Sequence, residues 1–467
     1  MKISFHGAAR TVTGSKHIIH LNNGKKILLD CGMFQGLGKE TLGLNKDFGF
    51  EPTELSYVII SHAHIDHIGL LPRLVAAGYN GPIFCTDPTE DLAKIMLADS
   101  AKIQESDVEH INKQRRREGR ELVEPLYTIE DAYNVFPLIK LVAYNKPFMI
   151  DEDIELLYTD TGHILGSAAI NLKIKEEGRT RRITFSGDLG RYRDVILRSP
   201  DTFPQADVII MESTYGDKLH EDAKPIIDEL VRYIEHTCLH KKGKLIIPAF
   251  SVGRTQELLY ALNRLELENR LPPIKYYVDS PLSIKATQII KEHEECFNPA
   301  VQKLLKRDED VFDFKGLHLV ESVEESIALN ASNEPCVIIS ASGMAEAGRV
   351  KHHIAHGIEH GKNTILIVGY CEPQSLGGRL SAGAPEVSIF GKRYMVKAQV
   401  GVIKSMSAHG DYGDMSQWLS CQEPREVEKL FLVHGEYDVQ QHFKSRLIAK
   451  GFRDVQIPEQ HQEIGLG

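Results

Sequence analysis

Four side chains able to bind a metal fall within six residues in His62-Ala63-His64-Ile65-Asp66-His67. Imidazole nitrogens are common ligands for borderline-soft ions, and a carboxylate adds a hard, anionic oxygen. His62 and His64 are two apart, so an extended loop points both the same way. Asp66 and His67 come after the chain turns and can face a second ion. Four such groups this close, divided by the turn, suit two ions better than one closed structural zinc plus ordinary packing, and H-x-H-x-D-H is a specific pattern among short metal motifs. The chemistry it suits is hydrolysis by a metal-activated water.

The elements around the cluster place it. Leu55–Ile60 is an apolar, β-branched run that reads as a buried strand, and Ile68–Leu74 reads as the start of a helix. The cluster therefore lies on a strand-to-helix loop, at the carboxyl end of a strand. Other candidate groups also follow strands. Lys26–Leu29 leads into Asp30-Cys31-Gly32, where the carboxylate suits a residue that orients a metal ligand. His163 lies between Gly162 and Gly166 in a loop after Ile154–Tyr158. The strand Arg182–Ser186 ends in Gly187-Asp188, and the two oxygens of Asp188 could serve two ions. Val208–Met211 leads into Glu212-Ser213-Thr214-Tyr215, Val402-Ile403 into Ser405-Met406-Ser407-Ala408-His409, and Lys429–Val433 into His434-Gly435-Glu436. Earlier, Lys2–Phe5 and His17–Leu21 read as strands, with a hairpin signal at Asn22-Asn23-Gly24. A helical region after Pro82–Thr86 runs to about residue 120 and ends in the basic stretch Lys113–Arg120. That stretch reads as a solvated helix end, the alternative being an arm that touches phosphates.

From about residue 205 the character changes. Strands at 208–212, 244–248, 275–278, 335–340 and 363–368 alternate with helices, one of them expected over 222–239. Such alternation predicts a mostly parallel sheet with helices on both faces. Ligand-type histidines return in the last segment, so the middle region reads as an insertion: 1–205 as the first part of one domain, 206–395 as the inserted α/β domain, and 396–467 as the return.

Composition bounds the setting. The chain has 467 residues, 42% hydrophobic and 26% charged, with a net charge of −10. That charge gives no global basic footprint for nucleic acid, although 55 Lys and Arg leave room for a local one. Seven scattered cysteines without a C-x-x-C pair predict reduced thiols in a cytoplasm. No signal pattern opens the sequence and no apolar run approaches membrane-spanning length.

These motifs, in this order, resemble the β-CASP branch of the metallo-β-lactamase superfamily, nucleases that include the endonuclease subunit of the eukaryotic cleavage and polyadenylation specificity factor. The resemblance covers nearly the whole chain. It implies an αββα sandwich with an inserted β-CASP domain and two zinc ions. His62, His64 and His163 would hold one ion, Asp66, His67 and His434 the other, and Asp188 would bridge them. Catalytic roles are implied for Asp66, for His409 paired with Glu212 near the scissile phosphate, and for Asp30 beside the ligands. Arg254, Ser340, Ser342, Gly343 and Arg379 lie in loops that look like phosphate contacts, with backbone N–H groups at a helix start near Ser342-Gly343. The expected reaction is hydrolysis of single-stranded RNA to 5′-phosphate and 3′-hydroxyl ends, endonucleolytic in mode. A homodimer is left open. The compact chain points to the bacterial, cleavage-factor-like type, without the extra C-terminal domain of the RNase J group or the N-terminal KH domains of archaeal members.

The rival reading is a small-molecule ester or thioester hydrolase of the same superfamily, against which the insertion with Glu212 and His409 speaks. His356-Gly357-Ile358-Glu359-His360 matches an H-x-x-E-H protease pattern, and His352, His356 and His360 would share a helical face. No distant third ligand for such a site is evident.

Overall fold

The computed structural model describes residues 1–220, 224–369, 371–403 and 407–467; Ser405, Met406 and the start of the helix expected over 222–239 lie outside them. The strands, in chain order, are β1 (Lys2–Gly7), β2 (Lys16–His20), β3 (Lys26–Leu29), β4 (Tyr57–Ile59), β5 (Ile83–Cys85), β6 (Ile139–Leu141), β7 (Phe148–Met149), β8 (Ile154–Asp160), β9 (Ala168–Glu176), β10 (Arg179–Phe185) and β11 (Val208–Glu212). They continue as β12 (Lys244–Pro248), β13 (Lys275–Val278), β14 (Leu317–Leu319), β15 (Cys336–Ser340), β16 (Thr364–Val368), β17 (Glu386–Ile389), β18 (Lys392–Met395), β19 (Gln399–Ile403), β20 (Lys429–Val433), β21 (Val455–Gln456) and β22 (Gln462–Gly465).

Met1–Leu219 and His409–Gly467 form one compact unit, and His220–Ala408 a second. The division differs from boundaries read off helix–strand alternation. β11 runs parallel between β10 and β20 in the first unit, and β19 pairs with β16 in the second. Alternation locates strands but does not name their neighbours.

The first unit holds two seven-stranded sheets, ordered β22-β1-β2-β3-β4-β5-β6 and β21-β20-β11-β10-β9-β8-β7. Ile3, Ile27 and Ile59 from the first share a buried cluster with Leu156, Ile170, Ile183 and Phe431 from the second, so the sheets pack face to face. The outer surface of the second sheet buries Ile209, Met211, Leu430 and Leu432 against Met415 and Trp418 of the helix Tyr412–Trp418 and Phe443 and Leu447 of the helix Tyr437–Ala449. Strands covered on both faces read as continuous apolar runs, which is why 208–212 shows no alternation. The long helix Asp87–Arg117 starts on a Thr86 side-chain cap with Asp87 and Glu90 in its first turn and ends on Arg115, Arg116 and Arg117, all favourable to the helix dipole. Its basic end is exposed and pairs locally, Lys113 with Glu109 at 3.0 Å and Arg120 with Glu118 at 3.1 Å.

The strand polarity positions the chemistry. β3 and β4 run parallel in one sheet, and β10, β11 and β20 run parallel in the other. The loops leaving their carboxyl ends carry Asp30, the His62–His67 cluster, Asp188 and His434, and Glu212 is the last residue of β11. Asp66 and His67 differ from the expected loop placement: they sit in a single helical turn, Ile65–Ile68.

The second unit is a six-stranded sheet, β14-β13-β15-β12-β16-β19, in which every pairing is parallel. After β15 the helix begins only at Arg349, so Ser342-Gly343 is not a helix start. The Ser342 N–H instead donates to the Ala347 carbonyl at 3.2 Å and closes a local turn. The same helix stops at Gly357, so His360 does not share a face with His352 and His356, and Glu359 accepts the Met395 N–H at 3.2 Å.

Candidate metal centre

Asp30 anchors the cluster from below. Fully buried, with φ of 57°, it accepts the Ser61 N–H and the Ser61 hydroxyl at 2.8 Å each, and the His67 Nδ1–H at 2.6 Å. Since Ser61 spends its proton on Asp30, its oxygen accepts from His62 Nδ1 at 3.0 Å. Both histidines thereby have Nδ1 committed as a donor and Nε2 turned towards the cluster; burial opposes charge on His67, but the Asp188 and Asp30 carboxylates prevail and hold it well above the ordinary imidazole range, so an ion bound there would displace its Nε2 proton.

Those lone pairs converge with others. His62 Nε2 and His163 Nε2 lie 3.1 and 3.2 Å from His64 Nδ1, and each is 3.5 Å from Asp188 Oδ2. Zn–N bonds of about 2.0–2.1 Å at a tetrahedral angle put two nitrogens about 3.3–3.4 Å apart, so this donor set has the span of a zinc site. Next to it, Asp66, His67 and His434 offer atoms within 4.8 Å of one another. His434 Nε2 is 3.4 Å from Asp66 Oδ2, and His67 Nε2 is 3.4 Å from Asp188 Oδ2. One oxygen of Asp188 thus adjoins both sets. Its other oxygen and His67 Nε2 are buried without a hydrogen-bond partner, which fits groups that wait for a cation. Burial holds His62 and His163 well below the ordinary imidazole range and lowers His64 to about 4, so these three are neutral at neutral pH.

His409 and Glu212 stand beside this centre. Glu212 is fully buried at the end of β11; its Oε1 accepts the Leu189 N–H at 2.6 Å, and His409 Nδ1 lies 3.1 Å from the same oxygen. Burial opposes charge on His409, but the Glu212 and Asp188 carboxylates prevail and raise it to about 9. The Asp188, Glu212, His409 and His434 donors also lie within 4.8 Å of one another, so the pair borders the ion sites directly.

Residues not singled out from sequence complete the support. Thr214 Oγ1 lies 3.1 Å from His434 Nδ1, and the Ser167 hydroxyl accepts the His163 N–H at 3.0 Å. The register between β11 and β20 brings Glu212 opposite Val433, and so Thr214 near His434. Lys16 is fully buried; its ammonium donates to the carbonyls of Gly14 at 3.1 Å and Gly32 at 2.9 Å and lies over the Phe34 ring. The loops it ties carry Ser15, whose N–H donates to the Asp66 carbonyl at 2.8 Å, and Cys31, whose N–H donates to the His67 carbonyl at 2.7 Å. Position 32 must be glycine, because a Cβ there would stand 1.6 Å from the Asp66 carbonyl oxygen.

The five expected phosphate contacts form no comparable group. Arg254 is buried and paired with Glu257, and the Ser340 hydroxyl donates to the Asp279 carbonyl at 2.7 Å. Ser342 bonds within its own turn, and Gly343 packs on Phe250. Arg379 Nε donates to the Ser375 carbonyl at 3.4 Å.

Three family models match the chain. Residues 17–136 match the model of the metallo-beta-lactamase superfamily, 255–380 that of the Beta-Casp domain, and 393–458 that of the Zn-dependent metallo-hydrolase RNA specificity domain. A protein named Ribonuclease TTHA0252, from Thermus thermophilus, is 35% identical over 93% of this chain and 93% of its own length. An RNase J-like protein of Methanocaldococcus jannaschii is 30% identical over 93% of this chain and 92% of its own. Transcription termination factor FttA of Methanosarcina mazei is 29% identical over 88% of this chain and 63% of its own length.

Proposed function

The chain belongs to the β-CASP family of the metallo-β-lactamase superfamily, and on that footing we propose that it is a zinc-dependent ribonuclease that cuts single-stranded RNA internally, with two ions in its centre. The observation that carries this reading is the pair of donor sets meeting at Asp188 Oδ2 with the His409–Glu212 pair alongside. His62, His64 and His163 would hold one ion and Asp66, His67 and His434 the other, with Asp188 beside both. Zinc bound there supplies Lewis acidity, acidifying a water and neutralising charge on the phosphodiester.

The protein's own groups do the rest. Asp30 and Ser61 keep His67 and His62 in the ligating tautomer. Asp66 would add a negative charge to the set that holds the second ion. His409, its Nδ1 3.1 Å from Glu212 Oε1, faces the centre as a proton donor for the departing 3′-oxygen, a poor leaving group without one. This division of labour yields 5′-phosphate and 3′-hydroxyl ends and makes no use of the 2′-hydroxyl. The second unit is the β-CASP insertion. We place the enzyme in the cytoplasm on its seven scattered cysteines, which include no C-x-x-C pair, a usage that fits a reducing compartment.

The test is cleavage of end-labelled single-stranded RNA by the zinc-loaded protein beside Asp66→Ala. Internal cuts with 5′-phosphate ends, absent in the variant, are expected. Mononucleotides alone would make it an exonuclease. Turnover of a small ester without RNA cleavage would overturn the reading.

A further inference from the structure

β17 and β18 form a hairpin in the second unit, closed by the two residues Phe390 and Gly391 between the paired Ile389 and Lys392. Both turn residues have positive φ, 51° and 74°, the signature of a type I′ turn. Such turns favour Asn-Gly or Asp-Gly, and a bulky residue at the first position is an outlier. Here that position holds an aromatic ring that is 52% exposed. The ring does not stand alone. The exposed His352 lies 4.5 Å from it, centroid to centroid, at 32° between planes, and the Lys351 ammonium is 4.9 Å from its centroid.

The surrounding charge is mainly positive. Neither Lys351 nor Lys392 has a carboxylate partner among the described residues. Arg393, on the strand leaving the turn, is 82% exposed, and its one ion pair among the described residues is with Glu386, at 3.5 Å. Beneath, the hairpin is well anchored: Val387 and Ile389 are buried in the core of the second unit, with Tyr394 packed against it. A firm base, an outward ring pair and unneutralised ammonium groups make a poor internal contact. They suit a polymer with flat bases and a charged backbone.

We propose that the β17–β18 hairpin with the start of the helix Arg349–Gly357 is a stacking platform for single-stranded RNA. A base stacks on the Phe390–His352 ring pair, and Lys351, Lys392 and Arg393 meet the flanking phosphates. The platform rests on the ribonuclease reading, and it adds a subsite that none of the metal-centre residues supplies. It also explains why the turn keeps a strained aromatic residue: a residue better for the turn would be worse for the RNA.

The test uses Phe390→Asn, which suits the turn, and Phe390→Trp, which restores a ring. Both are made in full-length protein carrying Asp66→Ala so that RNA survives. Binding of a fluorescein-labelled oligouridylate is read by anisotropy. Phe390→Asn should weaken binding by about 5- to 150-fold, the range for one stacked base, with the melting temperature held or raised. Phe390→Trp should bind as tightly as the parent. Unchanged affinity in Phe390→Asn overturns the platform, as does a lower melting temperature with intact affinity, which would make the ring an anchor. Loss of a dimer in sedimentation with RNA affinity intact would assign the surface to a second copy of the chain and overturn it too. In a background with Asp66 intact, hydrolysis of bis(p-nitrophenyl) phosphate should be the same with and without Phe390→Asn. If even the parent fails to turn over that diester, the metal-centre reading fails while the binding comparison still decides the platform.

Discussion

Asp30→Asn alters the hydrogen-bonding character of one buried atom and should separate metal binding from folding. Asparagine adopts positive φ more readily than most residues, so the backbone at 57° is tolerated. If its carbonyl keeps the Ser61 N–H, its amide NH₂ replaces the oxygen that accepted from the Ser61 hydroxyl and from His67 Nδ1 at 2.6 Å. Two donors then face each other. The imidazole escapes by moving its proton to Nε2, the atom that should hold an ion, and Ser61 turns its own proton towards His62. Loss of such an orienting partner costs 10- to 100-fold in metal affinity, or about 1.4–2.7 kcal/mol. Folding of the metal-free protein should fall by only about 1–2 kcal/mol, the range for hydrogen-bond changes at a retained site. Asp30→Ala is harsher, because it strips the partner from a buried imidazole and an N–H; about 3–5 kcal/mol of stability should go. Zinc titration against a competing chelator and urea denaturation of the metal-free proteins give the two numbers. Wild-type zinc affinity in Asp30→Asn, or equal destabilisation by the two substitutions, would refute the argument.

Other expectations are equally direct. Asp160 is buried, which raises its carboxyl from 3.8 to about 6 although Gly162 N–H and Arg198 bond to it. Between those values the folded state keeps a proton that the unfolded chain has released, so this group's contribution to stability falls as pH rises through the window. Asp160→Asn should therefore gain on wild type by up to about 3 kcal/mol from the acid to the neutral side, read from paired denaturation curves; a constant difference would contradict the shift. Gly32→Ala should destabilise by about 1–3 kcal/mol or more and lower zinc occupancy, since the Asp66 turn must move to admit the methyl group; a crystal structure with that turn undisturbed would contradict this. Trp418, buried and stacked on Phe203 at 4.0 Å, should cost about 3–5 kcal/mol as alanine. Trp418→Phe discards an indole N–H without a partner and should cost clearly less, as thermal denaturation would show.

The centre was legible because its residue types are rare together and each follows a strand, a pattern that survives without knowing which strands touch. What stayed hidden depends on contacts distant in sequence. Thr214 and Ser167 are ordinary hydroxyls until β11 meets β20 and the 161–167 loop closes. Lys16 opens an apolar run, and nothing local says that its ammonium will be buried between two loops. The Arg254 and Ser342 loops looked like phosphate contacts because glycine and polar residues follow strands there. In the structure Arg254 pairs with Glu257 and Ser342 bonds within its own turn, and spacing does not report such contacts. The turn at Phe390-Gly391 could be suspected from alternation alone, yet phenylalanine is the wrong residue for it by the usual preferences, so only the observed φ values identify it.

The order in which the centre is assembled has a consequence for how the protein is made. β1 takes β22, more than 450 residues later in the chain, as its outer neighbour, and the Leu466 N–H closes on the Met1 carbonyl. His434 sits at the end of β20, which reaches its place in the sheet only after the whole second unit has been translated. While the chain is still on the ribosome, the histidines at 62–67 and 163 exist without their last partner, whereas the second unit, built from consecutive residues, can fold as it emerges. Pairing of such distant segments is slow to search. A nascent chain is thus without a complete metal centre until His434 has emerged.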